Sequence, residues 1–272
     1  MAFAFLFIFE FTVLKARELN TIIRVGGSAS AKARGMVHFI VCTHNVCAEF
    51  LHAGNQEGIR VRAEILKVHA VMPEASLIKY AAEQIHAGQV LGMPTDTFYG
   101  LAADPFNLRA VERVYEIKSR LRHKPLSLLI ENVDQAEEFA RPLPDDFHLL
   151  ARRFWPGPLT MIVPAASNLP LKVTANTGNV ALRVPAAEIP LAVVRAAKIP
   201  ITATSANLSG ASECTTAEEV EEQLQGRISL IVDGGKSPRS ISSTIVHFRE
   251  DGTWQILREG AIPTKDIVEA LS

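Results

Sequence analysis

The sequence carries little net charge: −1 at pH 7 over 272 residues, from 28 Lys and Arg against 29 Asp and Glu. No global basic field therefore advertises nucleic acid as a partner. Cysteine is scarce. Cys42, Cys47 and Cys214 cannot make an even disulfide framework, and a reducing cytoplasmic setting is expected. Long apolar runs are scarce too. The run from Ala2 to Phe9 is interrupted at Glu10 and ends by Leu14, short of the about 20 apolar residues a spanning helix needs. Lys15 and Arg17 follow that run, whereas a secretory signal places its cations first. No membrane role is expected. The stretch reads as a peripheral extension, or as an over-long start with Met36 or Met72 as the true one.

Several signatures of common chemistries are missing as well. No G-x-G-x-x-G fingerprint supports a dinucleotide fold. Gly234-Gly235-Lys236-Ser237 resembles the end of a phosphate loop, but the glycine required five residues before Gly235 is Leu230, and Pro238 blocks the helix that should follow. It reads as a turn after a strand. The 8 histidines are scattered without paired spacing, so no metal site is assigned. No serine sits in a G-x-S-x-G elbow, and Cys214 reads as a spectator.

What is present is an ordinary globular composition, 48% hydrophobic and 21% charged. Residues 1–72 show no clean periodicity and form an N-terminal extension to a domain at 73–272. Within the extension, Gly26–Ala31 reads as a linker and Val37–Val41 as a strand running into Cys42-Thr43-His44-Asn45-Val46-Cys47. That fragment is similar to the phosphate loop of low-molecular-weight tyrosine phosphatases. Their loop needs an arginine six residues after the cysteine, and this chain has Ala48 there, so no phosphatase activity is expected.

From Pro73 the patterns sharpen. Leu77, Ala81, Ala82 and Ile85 recur at helical spacing, and Gly88 closes that helix. Asn107 caps a second helix carrying Val111, Val114, Tyr115 and Lys118. Further helices are predicted near 134–140, 145–154, 190–197, 216–224 and 264–271. Strands are predicted at 90–93, 126–130, 159–163, 180–184, 201–203, 230–232, 244–248 and 254–257, with Arg183 as an outward cation. Helices and strands mix without strict alternation. This predicts an α/β (α+β) domain around one twisted, mostly mixed sheet.

Polar motifs sit beside these strand-like runs, with Lys118 and Arg120 near a helix end, where a fold displays side chains to a ligand. They are Pro94–Leu101, with Thr95, Asp96, Thr97 and Tyr99; Lys118-Ser119-Arg120, extended by Arg122, His123 and Lys124; Ser205-Ala206-Asn207; and Ser243-Thr244. Each alone is explained by a cap, a turn or a solvated face. Together they supply hydroxyls, cations and an amide without a nucleophile–base pair. Such a set grips anions, polyphosphate above all, and positions small polar reactants.

In this order the motifs resemble the YrdC/Sua5 family, the L-threonylcarbamoyladenylate synthases, over roughly Pro73 to Leu271. Trp155-Pro156-Gly157-Pro158-Leu159-Thr160, Ala181–Pro185, Ser205–Gly210, Ser243–Val246 and Leu257–Gly260 add to the likeness. The resemblance implies a twisted sheet with flanking helices around a concave, basic cavity. It implies that L-threonine, bicarbonate or CO2, and ATP give threonylcarbamoyl-AMP and pyrophosphate, with Mg²⁺ on the phosphates. The product would feed a threonylcarbamoyl transferase complex that modifies adenosine 37 of tRNA. By resemblance, Thr97, Arg183 and Ser243 contact L-threonine, with Arg183 forking its carboxylate. Lys118, Arg120, Lys124, Ser205, Asn207 and Arg258 contact ATP, with Lys118 and Arg120 as the catalytic cations. Thr95 and Tyr99 support them. Where some members carry a histidine after the Lys-Pro-Leu segment, this chain has Ser127-Leu128-Leu129-Ile130. Ending near Ser272, it is expected to match the short, single-domain form.

Two rival functions fit the residues less well. A double-stranded RNA or tRNA binding module would show a broad Lys/Arg stripe, but here the cations are clustered and Glu218, Glu219, Glu221 and Glu222 lie nearby, so direct RNA binding is at most weak. A nucleotide sensor without turnover would lack one of the cations, yet Lys118, Arg120, Arg183 and Arg258 are all present.

Overall fold

A computed structural model describes residues 22–25, 37–43, 46–53, 56–119, 124–238 and 241–272, with the backbone alone for 22–61. The apolar run at 2–9 and the linker at 26–31 lie outside the described residues. The chain divides into two units, one of Met1–Glu64 with Gln225–Leu230, the other of Ile65–Leu224 with Ile231–Ser272.

In the first unit, β1 (Ile22–Val25), β2 (Val37–Thr43), β3 (Val46–Ala53) and β4 (Gln56–Arg62) form a four-stranded sheet in that order, with every neighbour antiparallel. Cys42 and Cys47 are paired positions in the β2–β3 register. A phosphatase loop wraps its anion at a helix N-terminus. Here a strand follows instead, so the resemblance to that loop ends at the sequence.

The second unit runs β5 (Glu64–Lys67), α1 (Ala75–His86), β6 (Leu91–Met93), β7 (Gly100–Ala102), α2 (Leu108–Lys118), β8 (Ser127–Leu129), α3 (Val133–Phe139) and α4 (Asp145–Phe154). It continues with β9 (Leu159–Pro164), α5 (Leu171–Thr174), β10 (Asn179–Arg183), α6 (Glu188–Ala197), β11 (Ile201–Thr202) and β12 (Thr204–Ser205). It ends with α7 (Ala217–Leu224), β13 (Leu230–Asp233), β14 (Thr244–Phe248), β15 (Trp254–Arg258) and α8 (Thr264–Ala270). The helices form where the apolar spacing placed them. α1 buries Ile78, Ala81, Ala82 and Ile85 and packs on α6. Gly88 follows it at φ +81, and a Cβ there would lie 2.7 Å from Asn107 Nδ2, so both backbone and space demand glycine. The Asn107 side chain accepts from the backbone N–H of Arg109 (3.1 Å) and Ala110 (3.2 Å), as a cap should.

The strands make two sheets where one was expected. A six-stranded mixed sheet runs β11-β8-β10-β9-β14-β15, and a five-stranded one runs β12-β7-β6-β13-β5. The division falls at Ala203. Thr202 N–H donates to Ala103 O (2.9 Å) and Ala203 N–H to Ser127 O (2.7 Å), and the next two residues pair with β7 instead of β8. Strands of two residues have no period to read, which is why the step is invisible in the sequence. β5 adds an edge strand ahead of Pro73, with Val68 N–H on Asp233 O at 2.8 Å.

In the larger sheet β10 lies between β8, parallel to it, and β9, antiparallel, while β14 is parallel to β9. Central strands covered on both faces explain the near-continuous apolar runs of β9 and β10. Fully buried Phe147 meets Trp155 edge-on at 5.5 Å and Phe248 at 6.0 Å. Trp155 Nε1 donates to Leu159 O (2.8 Å), which fixes the Trp155–Pro158 turn leading into β9. Among the described residues no helix is long and apolar enough to cross a membrane.

Candidate active site

The loop from Pro94 to Tyr99 joins β6 to β7 and is stiffened from within. Thr95 Oγ1 donates to Phe98 O (2.7 Å), accepts from the Thr97 N–H (3.1 Å) and lies 3.0 Å from Thr97 Oγ1. Because the single Thr95 proton goes to Phe98 O, Thr97 is the donor of that last bond. Thr97 Oγ1 in turn accepts from Arg183 Nη1 (3.2 Å). The result is a directed chain from guanidinium to backbone that leaves Thr97 as an acceptor toward any further donor. Tyr99 is buried beneath the loop, and its hydroxyl donates to Gly235 O (2.7 Å). Burial pushes its phenol well above the usual range, reinforced by the Asp233 carboxylate, so Tyr99 is a neutral donor holding the loop to the turn after β13.

Arg183 ends β10, and it is not the outward cation that the alternation of the strand suggested. It is 7% exposed, because β10 is a central strand with covered faces. Its Nε donates to Gly157 O (3.0 Å), and its Nη2 to Asp96 Oδ1 (2.6 Å). Asp96 is buried as well, and its Oδ2 has no hydrogen-bond partner among the described residues. A buried guanidinium held by three oxygens keeps one fixed orientation.

Across the cavity, β14 and β15 bring in Ser243 and Arg258. Ser243 Oγ is 2.8 Å from Thr160 Oγ1, and Arg258 donates to Ser243 Oγ (3.2 Å, from Nη2) and to Ser243 O (3.0 Å from Nε, 2.7 Å from Nη2). Burial lowers the Arg258 pKa, and the Glu213 carboxylate opposes that shift. Gly260 allows the close approach: a Cβ there would lie 2.3 Å from Ser242 O. Ser242 Oγ donates to Glu213 Oε2 (2.7 Å). Thr95, Thr97, Tyr99, Arg183, Ser205, Ser243 and Arg258 line one cavity of about 220 Å³, together with Ser127, Thr160, Glu213 and Ser242. That is below the roughly 300–1,000 Å³ of drug-sized pockets and suits a small polar molecule.

A second cavity adjoins at Ser205. It is lined by Lys118, Ser119, Lys124, Ser205, Asn207, Ser209 and Gly210. Lys118 is 2% exposed at the end of α2. Its ammonium donates to Asn207 O and Asn207 Oδ1 (both 2.9 Å), to Ser205 Oγ (3.4 Å) and, in a very short contact, to Ser205 O. Ser205 Oγ donates to Asn207 Oδ1 (2.7 Å), and Asn207 Nδ2 to Ala211 O (2.6 Å). Lys118 is therefore the post around which the Ser205–Ala211 loop is wound. Arg120 lies outside the described residues.

The motifs thus converge on two adjoining cavities, with Lys118, Lys124 and Asn207 in the second and Ser205 in both. The sequence places Asp96 and Thr160 within motifs but assigns them no role, and Ser242 stands beside a motif without being named. Ser127 stands out only as the start of the stretch that lacks the histidine, and Glu213 leaves no signal, since it repeats no pattern. Among the described residues no three His, Cys, Asp or Glu side chains gather to hold a metal ion.

The fold and this constellation of hydroxyls and cations define an α/β protein with a polar site able to hold anions. The Sua5/YciO/YrdC family model, described as "Telomere recombination", matches residues 83–260, and the chain belongs to that family. It is 37% identical over 196 residues to a threonylcarbamoyl-AMP synthase of Pyrococcus abyssi, covering 71% of this chain and 57% of that protein. It is 40% identical over 195 residues to the Bacillus subtilis threonylcarbamoyl-AMP synthase, covering 71% and 56%. The chain therefore spans little more than half the length of these two relatives. The crystal structure of P. abyssi Sua5 complexed with L-threonine superposes with a TM-score of 0.74 at 35% identity, over 77% of this chain and 61% of that one.

Proposed function

We propose that this chain is a threonylcarbamoyl-AMP synthase, forming the adenylate and pyrophosphate from L-threonine, bicarbonate and ATP. The observation that carries the reading is the shared wall of the two cavities. Thr97, Arg183 and Ser243, the positions expected to hold threonine, line one; Lys118, Lys124 and Asn207, expected at the nucleotide, line the other; Ser205 belongs to both. In the reaction the neutral amine of threonine, its ammonium proton lost, takes up CO2 with release of a proton, or bicarbonate with loss of water, as a carbamate. A carbamate oxygen attacks the α-phosphorus of ATP, and pyrophosphate leaves. No protein nucleophile is required, so the work is alignment and neutralisation of phosphate charge. Arg183 would pair the threonine carboxylate, and Ser243 and Thr97 would take its remaining polar groups. Lys124 would face the phosphates from the second cavity and Arg258 would reach them from the first, while Lys118 and Asn207 hold the loop beside them.

Mg²⁺ would neutralise charge on the triphosphate. The ion would be held mainly by phosphate oxygens and water. The adenylate would pass to a threonylcarbamoyl transferase complex acting on tRNA in the cytoplasm, with direct RNA binding by this chain secondary. The test is pyrophosphate release from ATP by the purified protein. Release that needs both L-threonine and bicarbonate supports the synthase. ATP binding without release would favour a nucleotide sensor.

A further inference from the structure

An α-amino acid brings an anion and a cation, and the cavity answers them unequally. Arg183 and Arg258 line it, with a ring of hydroxyls. Glu213 is the single carboxylate among the described lining residues. Asp96 is not among the lining residues, and its Oδ1 accepts from Arg183 at 2.6 Å. Glu213 is half-buried, and its Oε2 is oriented by the Ser242 hydroxyl at 2.7 Å. It belongs to the loop that carries Ser205, the residue common to both cavities, while Arg183 stands on a strand of the other sheet.

Resting on the synthase reading above, we propose that Glu213 receives the α-ammonium of the amino-acid substrate. With the carboxylate on Arg183 and the ammonium on Glu213, the amine end points toward the Ser205 wall. That is the side on which the carbamate must form if one of its oxygens is to reach the α-phosphorus in the neighbouring cavity. The same placement makes the site read a zwitterion: an acid with the same hydroxyl and carboxylate but no amine loses the Glu213 contact. The competing role for Glu213 is a plain counter-charge to Arg258, whose pKa it supports. The two roles differ in what the carboxylate discriminates.

The experiment is calorimetric binding of L-threonine and of 3-hydroxybutanoate, its analogue without the amine, to the full chain and to Glu213→Gln. ATP and Mg²⁺ are left out and EDTA is present, so that a role in holding metal cannot enter. The wild-type protein should bind L-threonine about tenfold or more tightly than the analogue, as expected of a hydrogen bond to a charged group. Glu213→Gln should lose most of that preference while binding the analogue as before. If the variant weakens both ligands equally, or neither, the ammonium role is overturned in favour of a counter-charge or a spectator. ATP binding by the variant, measured separately, reports that it is folded. A wild-type protein that binds ATP but not L-threonine overturns the synthase reading, and this inference with it.

Discussion

Asp96 and Arg183 form a buried ion pair, Oδ1 to Nη2 at 2.6 Å, with side chains 4% and 8% exposed. It ties the β6–β7 loop to the end of β10 and so links the two sheets at the cavity wall. Removing one partner of such a pair strands the other charge, at a typical cost of about 3–5 kcal/mol. Asp96→Ala should therefore lower stability by that order in denaturant unfolding. In protein that still folds, the KM for L-threonine should rise more than kcat falls, because Arg183 loses its fixed orientation.

Lys118 is expected to act on the loop it holds. Replacing it by Met leaves Ser205 O and the two Asn207 oxygens without their cation, and the loop between the cavities loosens. A misplacement of about 1 Å can cost about 10²-fold in rate. Lys118→Met should lower kcat by about that factor, and Lys118→Arg should not restore it, since a planar fork does not fit a point-charge site. Steady-state kinetics on both variants checks this.

Gly260 tests the packing beneath Ser243. Gly260→Ala places a methyl 2.3 Å from Ser242 O. Overpacking of this kind typically costs about 1–3 kcal/mol. The melting temperature should fall, and activity should fall further than stability alone explains, because Ser242 and Ser243 both line the cavity.

Tyr99 gives a pH dependence with a definite sign. Its folded-state pKa is raised, first by burial and then by Asp233. The neutral phenol is thus the form the fold favours. Its contribution is full below the unfolded pKa of about 10 and is lost as pH rises above that value. Stability measured by urea unfolding should decline above about pH 10, and Tyr99→Phe should show a shallower decline from a lower plateau.

Much of this was legible in the sequence because it rested on local physics. The period of α1, the Asn107 cap, the Gly88 stop and the strand at β9 follow from residue types within one or two turns. The candidate site was legible as polar motifs beside strands and at the end of α2. The split into two sheets was not, because it turns on two-residue strands around Ala203. The burial of Arg183 was not, because it depends on which strand lies in the centre. Glu213 was not, because its place beside Ser242 and Arg258 is made by tertiary folding alone.

The most direct measurement supplies the protein with ATP, Mg²⁺, L-threonine and ¹³C-labelled bicarbonate and examines the nucleotide products by mass spectrometry. The synthase predicts threonylcarbamoyl-AMP with the label in its carbamoyl carbon, and no such species when L-threonine is omitted. Well-folded protein that leaves ATP unchanged, or yields AMP or ADP without the labelled adduct, would contradict it.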